Sequence, residues 1–394
     1  MNRTLENQDI VVLDSDWDDH WGTIKQVMVR LAEHNRVIYV ESFLSPLRLL
    51  KQPVKVIKKL ARCGGLKKYK ENFFIMTSGF VLPFGKRLSF VSLINRKLKA
   101  LQVRRALKKL GFKNPILWIS RPRDIDFIGA LDEKMLVYHC VDEMAEYGAT
   151  LAEREKIRDL EQKIMRKADI VFVTSKALFD AKKRFNKNTY LVPNAADVEH
   201  FMKANDKSTL IPQVLEKIPQ PIVGYVGMLG DAFDVEAVRY IAQRHPEWSI
   251  VLIGGILQDE INLSPINNLK NIHFLGMQKI EDLPAYMKGF SVSIIPFLVN
   301  ELTRNVYPLK LHEYMAVGKP IVSTHMPELY PFKEVVRISR NHEQFENDIS
   351  LAIKEDNKDL TARRIEIAKQ NTWTERVNRT SQVIADYLNK GQNE

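Results

Sequence analysis

Cysteine is almost missing from this 394-residue chain. The two present, Cys63 and Cys140, are far apart and in neither a CxxC nor a CxxH setting, which excludes a disulfide framework and a cysteine zinc site. Long apolar runs are missing too. The longest, residues 10–13, 135–141, 170–173 and 291–299, fall far short of the roughly 20 residues that cross a bilayer as a helix. The N-terminal stretch reaches Asp14 and Asp16 before any apolar core of a secretory signal could form, so the expectation is a cytoplasmic chain. With only 17 Gly and 17 Pro, collagen-like and low-complexity readings fall away. A folded chain of this length exceeds what one core usually organises, which favours two domains.

Positive charge is present in excess, and it is concentrated. Residues 48–113 hold 19 Lys and Arg against one acid, Glu71, whereas the other 328 residues carry 40 bases against 47 acids. Two stretches inside this segment read as basic amphipathic helices: KQPVKVIKKLARCGGLKKYK, with Val54, Ile57, Leu60 and Ala61 at helical spacing, and LSFVSLINRKLKALQVRRALKKLG, with Val91, Ile94, Leu98, Leu101 and Leu110. A solvated helix face over an ordinary core would explain either one. Two together point to an anionic membrane surface, with Lys55, Lys58, Lys59, Arg62, Lys67 and Lys68 as the contacts. Nucleic acid ranks below lipid and is not expected as a partner, because no recognised module or base-stacking aromatic row accompanies the lysines.

Strand-sized runs alternate with helical stretches along most of the chain, the pattern of parallel sheets built from βαβ units. The first half supplies runs at 10–13, 37–40, 73–76, 115–119, 135–140, 170–174 and 190–192. After the polar connection KANDKSTLIPQVLEKIPQ the pattern restarts with PIVGYVG, SIVLIGG, NIHFLGM, FSVSIIPF and KPIVST. The expectation is an α/β protein of two Rossmann-like domains, 1–200 and 201–372, with a terminal helix within 373–394 packing back on the first. A nucleotide ligand would lie at the carboxyl ends of the strands.

PIVGYVGMLGD places Gly224, Gly227 and Gly230 between a strand and a helix. GxxGxxG is a weak phosphate signature, and it reads either as a tight turn or as backbone amides facing a pyrophosphate at the start of the helix after Asp234. TRNVYPLKLHEYMAVGKPIVST is sharper. Lys310 and Glu313 are three apart at the start of a helix that begins near Pro308, so they share a face. Such a pair is commonly a surface salt bridge. It also suits a nucleotide, the ammonium meeting a diphosphate and the carboxylate a ribose diol.

PLKLHEYMAVGKPIV resembles the donor-binding signature of GT-B fold glycosyltransferases, in the large bacterial class similar to the retaining family 4 enzymes. The resemblance runs on through LVPNAADVEHF, IVGYVGMLGDAFDVEAV, HPEWSIVLIGG, NIHFLGMQKIEDLPAYMKGFSVSIIPF and TWTERVNRTSQVIADYL. With ILWISRPRD and VYHCVDEMAEY it covers residues 8 to 390 or so, and it is most similar to bacterial cell-wall and exopolysaccharide transferases, including the teichuronic acid type. It implies a sugar moved from a nucleotide diphosphate-sugar, a UDP-sugar such as UDP-glucuronic acid, to a lipid-linked or polysaccharide acceptor at the inner face of the cell membrane. No cofactor and no bound metal are implied. It assigns Lys310 to the diphosphate, Glu313 to the ribose, Met277 to the base, and Gly227 and Gly230 to the phosphates or the acceptor. Tyr307, Pro308 and Leu309 belong to the same donor-binding stretch. Two departures stand out: the usual Arg and Lys pair is missing from the glycine turn, leaving Arg304 as a substitute, and Asn305 occupies the first position of the EX7E motif.

The reacting group is left open between Asp142, which falls where family 4 enzymes carry an active-site histidine, and Asp19 and His20 in the DSDWDDHWG loop. Helix capping by Asp142 and turn formation by the loop are the plain alternatives. Asn305 and the missing basic pair also motivate a different reading, a catalytically degenerate GT-B scaffold acting as a peripheral membrane or polyanion-binding protein.

Overall fold

The computed structural model describes residues 4–19, 21–44, 56–57, 59, 62, 64–83, 89–257 and 260–390. The chain divides into two compact units: Met1–Val192 with Val377–Glu394, and Pro193–Arg376. The first is built on a sheet that is parallel but for one strand, the second on a wholly parallel sheet. Among the described residues no helix is long and apolar enough to cross a membrane.

The first unit carries β1 (Asp9–Leu13), β2 (Arg36–Val40), β3 (Leu66–Lys70), β4 (Phe73–Met76), β5 (Ile116–Ile119), β6 (Met135–Cys140), β7 (Ile170–Val173) and β8 (Thr189–Leu191). Their order is β3-β4-β2-β1-β5-β6-β7-β8, with β3 the antiparallel edge. Runs such as DIVVL and IVFV are buried throughout because helices cover both faces of a parallel sheet, so no polar alternation is tolerated. Helices start where a side chain takes up the unpaired amides: Thr150 Oγ1 accepts from Glu153 N at 3.2 Å and opens Leu151–Lys167. Beyond β1, the loop of residues 14–19 is tied down by buried Lys25, whose Nζ donates to the carbonyls of Asp16, Trp17 and Asp19 at 2.9–3.0 Å. Burial lowers the pKa of Lys25, and the surrounding aspartates oppose the shift.

The basic segment differs from expectation. LKKYK is strand β3, paired on β4, so Lys67 and Lys68 stand exposed on a sheet edge and not on a helix. Lysines at the open edge of a sheet discourage pairing with other chains. Lys59 is buried, with Nζ 2.5 Å from Asp16 Oδ1 and 2.6 Å from the Ser42 carbonyl, and so cannot face a membrane. Arg62 is exposed and pairs with Asp18. Lys55 and Lys58 lie outside the described residues.

The second unit carries β9 (Ile222–Val226), β10 (Ser249–Ile253), β11 (Ile272–Gly276), β12 (Val292–Ile295), β13 (Ile321–Thr324) and β14 (Val336–Ser339). The order β11-β10-β9-β12-β13-β14 is that of a six-stranded doubly wound sheet, with its switch point between β9 and β12. The helix Trp373–Lys390 begins in this unit and from Val377 belongs to the first. There Ile384 is fully buried, Ser381 Oγ accepts from Leu5 N at 2.6 Å, and the Tyr387 hydroxyl donates to Asp169 Oδ1 at 2.8 Å.

Gly224 belongs to this core and not to a phosphate site. It lies inside β9, where an added Cβ would stand 2.2–2.3 Å from three ring atoms of buried Phe290. Gly224→Ala is therefore expected to destabilise the second unit by about 1–3 kcal/mol through overpacking. A lower midpoint of urea unfolding would register the loss, and Phe290→Leu in the same chain should recover part of it.

Candidate functional site

Two glycines shape the carboxyl end of the second sheet. β9 is followed by Gly227 (φ +154°) and β10 by Gly254 (φ +151°), backbone angles that residues with side chains rarely adopt. The two turns cross so closely that a Cβ on Gly254 would stand 1.9 Å from the Gly227 carbonyl oxygen. Gly227 N donates to the Ile253 carbonyl at 2.8 Å, and Leu229 N to that of Gly255 at 2.8 Å. Tyr314 Oη fastens the end of β9 by accepting from Val226 N at 2.9 Å.

Lys310 crosses this bare backbone. A Cβ on Gly227 would meet Lys310 Cε at 2.3 Å and Nζ at 2.5 Å, so only glycine admits the lysine there. Its ammonium lies 5.2 Å from the Tyr225 ring centroid and 5.0 Å from that of Phe297, and the faces of both rings favour a cation. Glu313 follows one turn later on the helix Lys310–Val317, which Gly318 ends in the left-handed conformation. Among the described residues no ion pair joins Lys310 to Glu313 or to another carboxylate, so the surface salt bridge is not what forms. Burial drives both groups toward neutrality, Lys310 down to about 8 and Glu313 up to about 7, each opposed by the other's charge. Such shifts in a lysine and a glutamate one turn apart mark a candidate ligand site.

The other candidates on this unit divide. Met277 follows β11 and is exposed; the place of a Cβ on Gly255 lies 2.9 Å from both Met277 Cε and Met228 Cε, which brings three strand ends together. Gly230 packs in the next turn, beside Leu257 and Glu260. Pro308 is buried and Leu309 half-buried, immediately before the helix. Tyr307 points elsewhere: its hydroxyl bonds buried His312 Nε2 at 2.8 Å, its carbonyl accepts from Asn194 Nδ2 at 2.7 Å, and burial raises its pKa. Arg304 pairs with Glu301 at 2.7 Å, and Asn305 Nδ2 donates to the Glu301 carbonyl at 2.6 Å, so both serve the short helix Glu301–Arg304. At the start of Val235–Arg244, where amides were expected to hold a pyrophosphate, the Asp234 carboxylate takes the Ala237 amide at 2.9 Å and holds His342 at 3.0 Å.

In the first unit Asp142 follows β6. Its carboxylate accepts from the Tyr147 hydroxyl at 3.2 Å, and burial raises its pKa to about 7. The segment is anchored from both sides. Cys140 Sγ donates to the Asp142 carbonyl at 3.2 Å, while Lys182 pairs with Glu143 at 2.8 Å and with Glu161 at 2.7 Å. Asp142 caps no helix; the following helix is opened by Thr150. Asp19 contributes its amide and carbonyl to the loop over Lys25. His20 lies outside the described residues. A grouping missed from the sequence occupies this sheet's switch point between β1 and β5. There Asp14 accepts from Ser120 Oγ at 2.8 Å and from the Tyr39 hydroxyl at 3.0 Å, and Arg121 donates to Ser42 Oγ at 2.8 Å. Asp14 reads in the sequence only as a polar residue of the DSDWDDHWG loop, whereas its weight comes from standing at the switch point. Tyr225, Phe297 and Gly254 were legible only as strand-end residues.

The two doubly wound units have the GT-B fold, and solved structures share it along nearly the whole chain. Sucrose-phosphate synthase from Thermosynechococcus elongatus aligns with a TM-score of 0.63 at 17% identity, covering 98% of each chain. The Anabaena protein HepE, solved with UDP and glucose, aligns with a TM-score of 0.64 at 14% identity, covering 97% of this chain and 100% of that one. Residues 220–370 match the family described as "Glycosyl transferases group 1" and form a domain of that kind. A Bacillus subtilis protein named as a candidate teichuronic acid biosynthesis glycosyltransferase is 26% identical over 182 residues, 44% of this chain. That alignment spans somewhat less than half of the relative's length, 45%.

The opposed shifts of Lys310 and Glu313 allow a direct test of their coupling. Lys310→Met removes the positive charge that holds Glu313 down, so the Glu313 carboxyl should titrate above 7. In Glu313→Gln the lysine should titrate below 8. Side-chain NMR titration of the two variants reads both, and no movement in either would show that the groups do not sense each other.

Proposed function

We propose that the protein transfers a sugar from a UDP-sugar to a lipid-linked or polysaccharide acceptor in cell-wall or extracellular polysaccharide synthesis. What chiefly supports this is the Lys310 ammonium lying across Gly227 at the carboxyl end of the parallel sheet, with no carboxylate partner among the described residues. Lys310 neutralises the diphosphate, both on binding and as negative charge builds on the departing UDP. Glu313, once ionised, accepts from the ribose hydroxyls, and Met277 covers the base. UDP as the nucleotide draws on the UDP complex of HepE. A glucuronic acid donor draws on the sequence likeness to the teichuronic acid protein.

Asp142 acts as the general base, taking the acceptor hydroxyl's proton as its oxygen bonds the anomeric carbon and the bond to the UDP oxygen breaks. A carboxyl held near 7 is well matched to that task, since it is partly ionised at working pH and still basic enough to take a proton. The Asp14, Ser120 and Arg121 grouping offers polar contacts for an acceptor on the same unit. A membrane-borne acceptor would place the enzyme at the inner face of the membrane, attracted through its exposed bases.

Calorimetry with UDP tests the donor site. Lys310→Ala and Glu313→Ala are each expected to weaken binding roughly tenfold or more, as loss of a charge-assisted contact should. Wild-type affinity should also fall as pH rises through 8, by up to about tenfold per pH unit, because the diphosphate binds the protonated lysine. Lys310→Arg should flatten that fall. Asp142→Asn is expected to abolish transfer to acceptor while UDP affinity stays within a few-fold. A protein that binds UDP but never turns over would favour the degenerate scaffold.

A further inference from the structure

The helix Ser89–Leu110 is apolar on two opposite sides, which folding alone does not require. Val91, Val103 and Leu107 are buried and dock it on the first unit. The sequence pattern suggests a single apolar face, yet Phe90, Leu93, Ile94 and Leu101 are 61%, 55%, 41% and 44% exposed. At about 100° per residue these four fall within an arc of roughly 100°, on the side away from the buried set. Lys97 lies in the middle of that stripe, and Lys108 continues it toward the C-terminal end. Single exposed apolar side chains are ordinary, but four on one face of a helix, interrupted only by Lys97, mark a contact surface.

Charge decides what it contacts. The helix carries seven Lys and Arg and no acid. Arg104 is occupied by Asp132 and the Ala130 carbonyl, and Lys99 by Asp126. Lys97, Arg105, Lys108 and Lys109 are exposed and have no ion-pair partner among the described residues. A second copy of the same face would bring like charges together, and a nucleic acid would leave the leucine and isoleucine row without an apolar environment. An anionic bilayer satisfies both halves of the surface, since its headgroups meet the bases and its acyl boundary takes the apolar row.

We propose that this helix lies flat on an anionic membrane, with Phe90, Leu93, Ile94 and Leu101 inserted below the headgroups. The inference rests on the membrane-side reading above and names the surface that serves it, moving the contact from residues 55–68 to residues 90–109. It does not need the transferase chemistry to be right.

The test is co-sedimentation of the full chain with vesicles containing phosphatidylglycerol and with pure phosphatidylcholine. Wild type should bind the first and not the second, and high salt should weaken binding by screening the bases. Phe90→Ser combined with Leu93→Ser and Ile94→Ser should reduce binding about tenfold or more, with the melting temperature and UDP affinity unchanged. Leu93→Ser alone gives a milder loss and serves if the triple variant folds poorly. Lys97→Glu with Lys108→Glu should also release the protein. The proposal is overturned if the serine variants bind like wild type, if neutral vesicles bind equally, or if none bind. It is overturned too if sedimentation shows a dimer that the serine variants dissolve. Vesicle binding without UDP affinity would leave this surface assigned and remove the transferase reading; UDP affinity without vesicle binding would do the reverse.

Discussion

A lysine ammonium partly stripped of water above the bare backbone of Gly227 is the constraint around which the second unit is arranged. The ammonium has no ion-pair contact there among the described residues; it has the faces of Tyr225 and Phe297 and the more distant field of Glu313. The arrangement exists because Gly227 and Gly254 let two strand ends and a side chain share a volume that any Cβ would fill. It holds its shape because Tyr314 pins β9 and Asp234 closes the adjacent helix. A desolvated cation with no anion of its own loses little on meeting a diphosphate, because much of the cost of removing its water has been met in folding.

The first unit uses the same principle with the opposite sign. Asp142 is a carboxyl raised by burial and is not a solvated acid, and what keeps it in place is a chain of contacts on its neighbours. Lys182 is held between Glu143 and Glu161, and Glu161 in turn accepts from Tyr138 Oη at 2.8 Å. A buried lysine between two glutamates is well compensated, so this piece of the sheet can be rigid around an acid that is not.

What could be read from the sequence follows from which forces act locally. Parallel strands advertise themselves because both faces are buried, and residues such as Val171 and Ile250 leave little choice. β3 was hidden because LKKYK is an edge strand whose exposed lysines mimic a helix face, and only its pairing with Phe73–Met76 makes it a strand. The end of a glycine turn can be seen in PIVGYVG, but not which glycine is structural: Gly224 packs on Phe290 and Gly227 on Lys310, a difference set by residues 66 and 83 positions away. Lys59 likewise reads as one more surface lysine until Asp16 is brought to it across 43 positions. The spacing of Lys310 and Glu313 is local and so survived, whereas Arg304 and Asn305 bond back to Glu301 on a one-turn helix that the sequence does not advertise.

The helix Trp373–Lys390 gives the first unit two separate stretches of chain, with the whole second unit spelled out between them. On a ribosome, residues 9–192 emerge with their sheet complete but without the helix that covers Leu5 and bonds Asp169. The second unit, contiguous in sequence, can finish folding first, although it is made later. The first unit must wait with an apolar face exposed until residues 377–390 arrive. Such a chain is most open to chaperones and to aggregation during that interval, in the half whose residues were synthesised earliest.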